Sequence, residues 1–441
     1  MARTVSADLQ PPENERAVGL AFYATRAHGV PGTLKANPES FHVREISAYP
    51  VPQPDGRFVV VRIESRNWEQ HELASALARR LGLAPNSVRW AGTKDRRALT
   101  ERLFSYVGPL PAADLHLADA TIVEAYRARD GLSLGHHYGN SFEVRVSDLP
   151  MSSEEAVLAY GAVLRELEEA GRFPDLFGLQ RFGEVRPVTH EVGRALVQGR
   201  VDEAVEIYLA RIPPGDDPSR SPARAAYAAD HDAVRALRDF PREYRFERSM
   251  LEHLAHGHPP ERAFRALNRE LRLLFVHAYQ SLLFNRWVSR RRSLGIPLNM
   301  PEEGDYILRV GRDGTMRGQD AIPVDRDNVP ECADLVHRGR AVVAGPLIGF
   351  ETPRRAGRVG ELVDRVLADE GVTPKEFELP HTPDISSAGS WRPVTLALPP
   401  IGISPDPSGE GGDGVWFRFA LPKGAYATVL LREFLKIGSS G

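Results

Sequence analysis

The chain has almost no cysteine: Cys332 is the only one in 441 residues. A single thiol excludes an internal disulfide and any zinc site built from several cysteines, and it agrees with a reducing compartment. Lysine is nearly as scarce, since only Lys35, Lys94, Lys375, Lys423 and Lys436 are lysines among 56 basic residues. Where lysine survives amid so much arginine, either a compact, rotatable ammonium is needed rather than a planar fork, or codon bias has spared it. Long hydrophobic runs are missing too. Nothing approaches the ~18 apolar residues of a membrane span, and the run from Ala341 to Phe350 is broken by Gly345 and Pro346. The first residues are polar, with Asp8, Glu13 and Glu15, unlike the apolar core of a secretory signal, so a cytoplasmic location is expected. Charge of one sign is also lacking: a formal net charge of −3 is no global footprint of nucleic-acid binding.

What is present is ordinary in bulk and uneven in detail. Hydrophobic residues at 42% and charged residues at 26% are the balance of a soluble globular protein, which sets aside disorder and fibrous repeats. The length exceeds the ~100–200 residues of one domain, so two packed bodies are expected. Basic residues gather at Arg79-Arg80, at Lys94 with Arg96-Arg97, at Arg290-Arg291-Arg292 and at Arg354-Arg355. Such clusters can follow phosphates locally while acidic helices balance the sum.

The run FVVVRI predicts a strand over Phe58–Ile63, and Leu73, Leu77 and Leu81 predict a helix over Gln70–Leu81. Short strands are predicted at Ser87–Trp90, Thr121–Tyr126 and Ser141–Val146, which makes the N-terminal part α+β. After Pro150 helical patterns take over: Ser153–Ala170, with a capping box from Ser152 to Glu155, then Thr189–Gln198, Asp202–Ala210, Asp232–Asp239, Pro260–Leu267 and Glu270–Arg292. The stretch Pro213–Arg224 reads as an exposed loop. Short β pieces return over Ile307–Gly349, a helix is predicted over Arg358–Glu370, and Pro380–Ser390 reads as a linker. Strands at Val394–Leu398 and Val415–Leu421 and a helix over Ala425–Lys436 close the chain. They resemble the first region in kind, so the middle body reads as an insertion.

One stretch carries candidate chemistry. Val88–Ser105, VRWAGTKDRRALTERLFS, runs from an apolar strand through a tight Ala91-Gly92 turn into a cluster of charge. Asp95 stands between Lys94 and Arg96, cations that keep a carboxylate ionised, and ionised carboxylates serve as nucleophiles or general bases. The competing reading makes Thr93 or Asp95 the cap of a helix that carries Leu99 and Leu103. Spacing alone leaves both open, and the cap is the commoner arrangement.

Ala91, Gly92, Lys94, Asp95, Ala98, Thr100 and Glu101 stand at the offsets of a signature that resembles the TruD family of tRNA pseudouridine synthases. Five other stretches resemble that family's motifs in order. They are Lys35 with Pro38-Glu39-Ser40-Phe41, Val43 and Glu45; Gly139-Asn140-Ser141-Phe142; Phe177-Gly178-Leu179-Gln180-Arg181-Phe182-Gly183; Tyr279-Gln280-Ser281-Leu282-Leu283-Phe284-Asn285; and Leu421-Pro422-Lys423-Gly424-Ala425-Tyr426-Ala427-Thr428 with Arg432-Glu433.

The resemblance implies an α+β fold: a discontinuous catalytic domain of pseudouridine-synthase type over residues 1–172 and 391–441, on a mixed, mostly antiparallel sheet, with a large α+β domain inserted over 173–390. The insertion is long, as in archaeal members. The resemblance further implies isomerisation of a uridine in tRNA, at position 13, to pseudouridine on a flipped-out nucleotide. Asp95 is the implied catalytic carboxylate, and no metal or organic cofactor is expected, because the detached base is itself retained. By resemblance Phe41, Phe142 and Tyr426 wall the base pocket, Asn140 holds a polar edge of the base or orients Asp95, and Lys35 pairs with Asp95 so that no buried charge stands alone. Tyr426 departs from the family, where Phe is usual. Lys94, Arg96, Arg97, Arg290 and Arg291 are expected to face RNA. The implied partner is tRNA, met by a monomer.

Other signals carry less. Gly409, Gly411 and Gly414 spell Gly-x-Gly-x-x-Gly, but they follow Pro405 and Pro407 and lead into a strand rather than a helix, so they read as a loop. No lysine follows a glycine, which excludes a phosphate-binding Walker loop. His253, His256 and His258 have metal-like spacing at the end of a predicted helix, where the dipole alone favours histidine; His136-His137 reads the same way. Two rival functions remain: a tRNA-binding module of the same fold without catalysis, and a glycosidase pairing Asp95 with Glu101.

Overall fold

The computed structural model describes residues 9–47, 50–84, 86–92, 94, 97–112, 117–183, 186–212, 221–311, 314–316, 318, 320–407 and 412–436. The chain forms two compact units, one holding Tyr23–Phe173 and the residues from Ala397 on, the other Gln10–Phe22 and Pro174–Leu396. Residues 10–22, expected with the first unit, are tied into the second, where Asn285 Nδ2 donates to the Val18 carbonyl at 3.0 Å and Ser289 Oγ to that of Gly19 at 2.7 Å.

The first unit is built on an eight-stranded sheet. Across it run Gly402–Asp406, Gly414–Pro422, Gly139–Val146, Phe41–Ile46, Leu99–Val107, Phe58–Arg66 and Ala120–Ala128, with Arg89–Trp90 paired to Leu99–Val107 off that path. All pairings are antiparallel except that of Phe41–Ile46 with Leu99–Val107. The sheet is therefore mixed and mostly antiparallel, and the fold is α+β.

Alternation decides what covers the sheet. Val59, Val61 and Ile63 point to one face, where the helix Gln70–Arg80 lays Leu73 and Leu77 against them. Burying each such leucine stabilises by about 1.5–3 kcal/mol. By register the same face carries Thr100, Val43, Phe142 and Phe419 on successive strands. At its other end Phe417 packs against Tyr160 of the helix Ser153–Ala170 and Phe434 of the helix Ala427–Leu435, both with ring centroids 5.1 Å away. The capping box expected at Ser152 and Glu155 starts the first of these helices, and Gly171, at φ 63°, ends it. The opposite face carries a row of ion pairs, Arg44 and Arg62 on Glu101, Arg62 on Glu124, and Arg418 on Glu143.

Where periodicity allows a helix carrying Leu99 and Leu103, the chain forms the strand Leu99–Val107. This strand lies between two others, with Leu103, Phe104 and Tyr106 all buried, so both faces are covered and the pattern loses its alternation. The helix-cap alternative for Thr93 or Asp95 is thereby removed.

The second unit combines helices with a four-stranded sheet in the order Ser390–Pro393, Ala341–Leu347, Tyr306–Arg309, Ile322–Pro323. Its axis is the helix Arg269–Ser293, which buries Phe275, Tyr279, Leu283 and Trp287. Gly193 of the helix Thr189–Val197 lies against this axis, and a Cβ there would sit 2.0 Å from the Phe275 carbonyl oxygen. Two expectations are corrected here. Part of the expected loop 213–224 is the helix Pro222–Asp230, begun by a proline at its first turn. The expected linker Pro380–Ser390 is packed: Ile385 is fully buried and Gln280 Nε2 donates to Ser387 Oγ at 2.9 Å. The helix expected to run into Gly257 is Arg245–Ala255, while the helix Val329–His337 goes unpredicted from periodicity. Among the described residues no helix is long and apolar enough to cross a membrane.

Candidate active site

The hairpin formed by Arg89–Trp90 and Leu99–Val107 encloses the stretch that carries the signature. Thr93, Asp95 and Arg96 lie outside the described residues, and with them the expected pairing of Lys35 to Asp95. The described residues around them are held from several sides. Ala91 accepts a hydrogen bond from Gly135 N at 2.7 Å, and Ala98 one from Asn67 N at 3.2 Å. Gly92 packs on the His137 ring, which a Cβ would approach to 2.6 Å. Arg97, exposed, donates to the Ala36 carbonyl at 3.3 Å. Lys94 turns inward: its ammonium meets Glu45 Oε2 at 2.8 Å, with 2% of the lysine side chain and 1% of the glutamate exposed.

The strand Phe41–Ile46 supplies the other side. Asn37 accepts from Ser40 N at 2.8 Å, which closes a turn over Pro38–Ser40 and delivers Phe41 to the start of the strand. Lys35 adopts φ 55°, a left-handed backbone that a non-glycine residue takes only when its surroundings demand it. Its ammonium lies 4.8 Å from the centre of the Phe41 ring. Phe41 meets Phe142 edge to face at 6.3 Å, and Phe142 stacks on Phe419 at 5.4 Å. Asn140 sits directly across from Glu45 on the neighbouring strand. Among the described residues three buried polar atoms here have no hydrogen-bond partner: Asn140 Oδ1, Glu45 Oε1 and His137 Nδ1. Tyr426 stands half-buried at the cap of the helix Ala427–Leu435. Lys423 Nζ donates to the Gly135 carbonyl at 2.7 Å.

Burial shapes the electrostatics. It lowers the Lys94 ammonium from its ordinary pKa, with Glu45 opposing that shift and Arg102 adding to it. Burial also lowers His137, helped by Lys94 and Lys423, so its imidazole is held neutral.

Two residues expected against RNA are corrected. Lys94 is buried on Glu45, and Arg291 is fully buried in a two-bonded pair with Asp305, at 2.6 and 2.9 Å. Neither can reach a phosphate. Arg97 is exposed, and Arg290, partly exposed, is paired with Asp369. Phe419, Glu45 and His137 had no assigned role. The alternation of Val415, Phe417, Phe419 and Leu421 places Phe419 on the Phe142 face; nothing local marks Glu45 as the partner of Lys94.

Of groups able to hold a metal ion, the described residues contain His42, Glu64 and Glu101, on the ion-paired face of the sheet. Glu101 there accepts from Arg44 at 2.9 Å and Arg62 at 3.2 Å, cations that compete with any metal. The same engagement makes Glu101 an ion-pair acceptor rather than the general acid of a glycosidase. His253, His256 and His258 form no metal-binding group, and His256 Nδ1 is bound to the Glu252 carbonyl at 2.7 Å. Glu433 and Lys436 are structural: Glu433 accepts from Ala24 N at 2.8 Å and Thr25 N at 3.2 Å, and Lys436 donates to the Thr25 carbonyl at 2.8 Å.

A family model described as tRNA pseudouridine synthase D (TruD) matches residues 17–434. The chain is 40% identical over 438 residues to a protein of Halobacterium salinarum described as "Probable tRNA pseudouridine synthase D", covering 96% of this chain and 97% of that one. A protein of Archaeoglobus fulgidus with the same description is 35% identical over 425 residues, 96% of this chain and 99% of that one. The crystal structure of a Methanosarcina mazei protein described as "Putative tRNA pseudouridine synthase D (TruD)" matches with a TM-score of 0.80 at 33% identity, over 97% of this chain and 99% of that one.

Proposed function

The chain belongs to the TruD family of tRNA pseudouridine synthases, and from that premise we propose that it isomerises a uridine of tRNA, the one at position 13, to pseudouridine with Asp95 as its catalytic carboxylate. The reaction rearranges bonds without changing the formula. N1–C1′ breaks, the base turns while held, C5 bonds to C1′, and the proton on C5 is lost as N1 gains one. An anion beneath the ribose is required whether it attacks C1′ or removes a proton from the sugar, and Asp95 is the carboxylate of the signature loop.

The observation that supports this reading is the convergence around that loop. Phe41, Phe142 and Asn140 share one face of two adjacent strands, and Lys94, the residue before Asp95, is bonded to the same strand as Phe41. Aromatic faces hold an unstacked base, and Asn140 Oδ1, without a donor among the described residues, suits a uracil N–H. Cytosine presents a lone pair at N3 where uracil presents N3–H, so such an acceptor also favours uridine.

The test is to incubate the protein with unmodified tRNA transcripts and map pseudouridine at single-nucleotide resolution. The expected result is one pseudouridine at position 13 with the native chain and none with Asp95→Ala. Equal modification by both would remove Asp95 from its role. Modification by neither, with tRNA still bound, would leave a binding module, and release of free uracil would mark a glycosidase.

A further inference from the structure

The residue before Asp95 is buried more deeply than a loop requires. Lys94 is one of five lysines in the chain, and its side chain, 2% exposed, ends 2.8 Å from a Glu45 carboxylate that is 1% exposed. Taking two charges out of water costs several kcal/mol per ion before their attraction offsets it, and an apolar pair of similar volume would hold a loop as well or better. Stability alone therefore does not account for this pair. Its placement does. Glu45 lies on the strand that begins with Phe41 and directly across from Asn140, so the carboxylate that receives Lys94 shares a sheet face with Phe41, Phe142 and Asn140. The ammonium reaches it as a single point donor rather than as a planar fork. Behind the loop, Gly92 lies against the His137 ring, and no Cβ fits between them.

We infer that Lys94 and Glu45 are positioning residues, a buried strap that fixes the loop at the residue next to Asp95 against the strand that walls the base pocket. This rests on the reading of Asp95 as the catalytic carboxylate. The strap sets where that carboxylate stands relative to a base held by Phe41, Phe142 and Asn140. It acts on the chemical step and leaves the affinity for tRNA alone, because neither side chain is exposed to RNA.

Single-turnover kinetics on tRNA transcripts test it, with Glu45→Gln, Lys94→Met and the double variant measured beside Asp95→Asn. Each single change lowers the rate of the chemical step on the order of 100-fold, the loss that a displacement near 1 Å produces. The Kd for tRNA stays within about twofold. Each single variant also melts at a lower temperature, since it leaves a lone buried charge. The double variant, with no lone charge, regains the native melting temperature but not the rate. Recovery of rate together with melting temperature would show a merely structural pair and overturn the inference. So would a loss of tRNA affinity equal to the loss of rate. Full activity in Asp95→Asn would instead overturn the reading of Asp95, whereas activity lost there but retained in Glu45→Gln and Lys94→Met would overturn the strap alone.

Discussion

Two buried ion pairs, one in each unit, are equally hidden from water and differently finished. Arg291 and Asp305 in the second unit are both 0% exposed, joined by two hydrogen bonds, and bonded further to their surroundings. Arg291 Nε donates to the Pro297 carbonyl at 2.8 Å, and Asp305 Oδ2 accepts from Glu302 N at 2.8 Å. Lys94 and Glu45 in the first unit share one bond of 2.8 Å, and Glu45 Oε1 has no partner among the described residues. A pair kept for architecture is saturated, because each unused lone pair in a dry interior costs free energy. The pair at Lys94 is one partner short among the described residues, which accords with a role beyond architecture.

The sharpest way to break this contrast is to remove one partner from the saturated pair. Asp305→Ala leaves the Arg291 guanidinium buried and unpaired, and the second unit is expected to lose about 3–5 kcal/mol in urea unfolding. Reduced tRNA modification is expected to follow only the folded fraction, so activity per folded molecule should be unchanged. A specific loss of rate with native stability would reverse the roles given to the two pairs.

The same contrast separates what was legible in the sequence from what was not. Elements with one covered face were readable. Gly414–Pro422 alternates toward a helix layer, Phe58–Arg66 is marked as a strand by its run of β-branched residues although Val60 is buried on the other face, and the helix Ser153–Ala170 begins with the capping box that its sequence spells. Leu99–Val107 was not, because burial on both faces erases the period that distinguishes a strand from a helix. Pro380–Ser390 looked like a linker because its anchor, Gln280, lies a hundred residues away in sequence. At the site, Phe41, Asn140 and Phe142 could be named together through motif order, yet their sharing one face depends on strand pairing that no local pattern specifies. The inward turn of Lys94 and the burial of Arg291 were invisible for a related reason. A run of cations reads as a solvated surface until the fold shows which member has a carboxylate waiting inside.

Half-buried histidines extend the comparison to pH. In the second unit His190 is pushed down to about 4, by burial first and then by Arg286 and Arg194, and its ring packs edge to face on Phe182 at 5.3 Å. A histidine depressed in the folded state takes up its proton more readily when unfolded. The stability it contributes is therefore present above about pH 6.5 and lost as pH falls towards 4, by about 3 kcal/mol. His277, likewise pushed down to about 4, adds to the same window. His190→Gln is expected to flatten urea-unfolding stability between pH 6.5 and 4. An unchanged slope would mean that the ring titrates as it does in the unfolded chain.

The smallest effect concerns the surface. Arg97 is exposed and bonded to a backbone carbonyl, with no ion pair among the described residues, whereas Arg290 gives its charge to Asp369. If Arg97 meets a phosphate, Arg97→Ala removes about one released counterion and lowers the salt slope of tRNA binding by about 1. Arg290→Ala should move that slope less, because Asp369 already competes for the guanidinium, and Asp369→Ala should raise it by freeing the charge. Equal slopes for Arg97→Ala and the native chain would take the signature loop's exposed side out of the RNA interface. That result would leave Lys94, on the inward side, as the loop's one cation among the described residues with an assigned task.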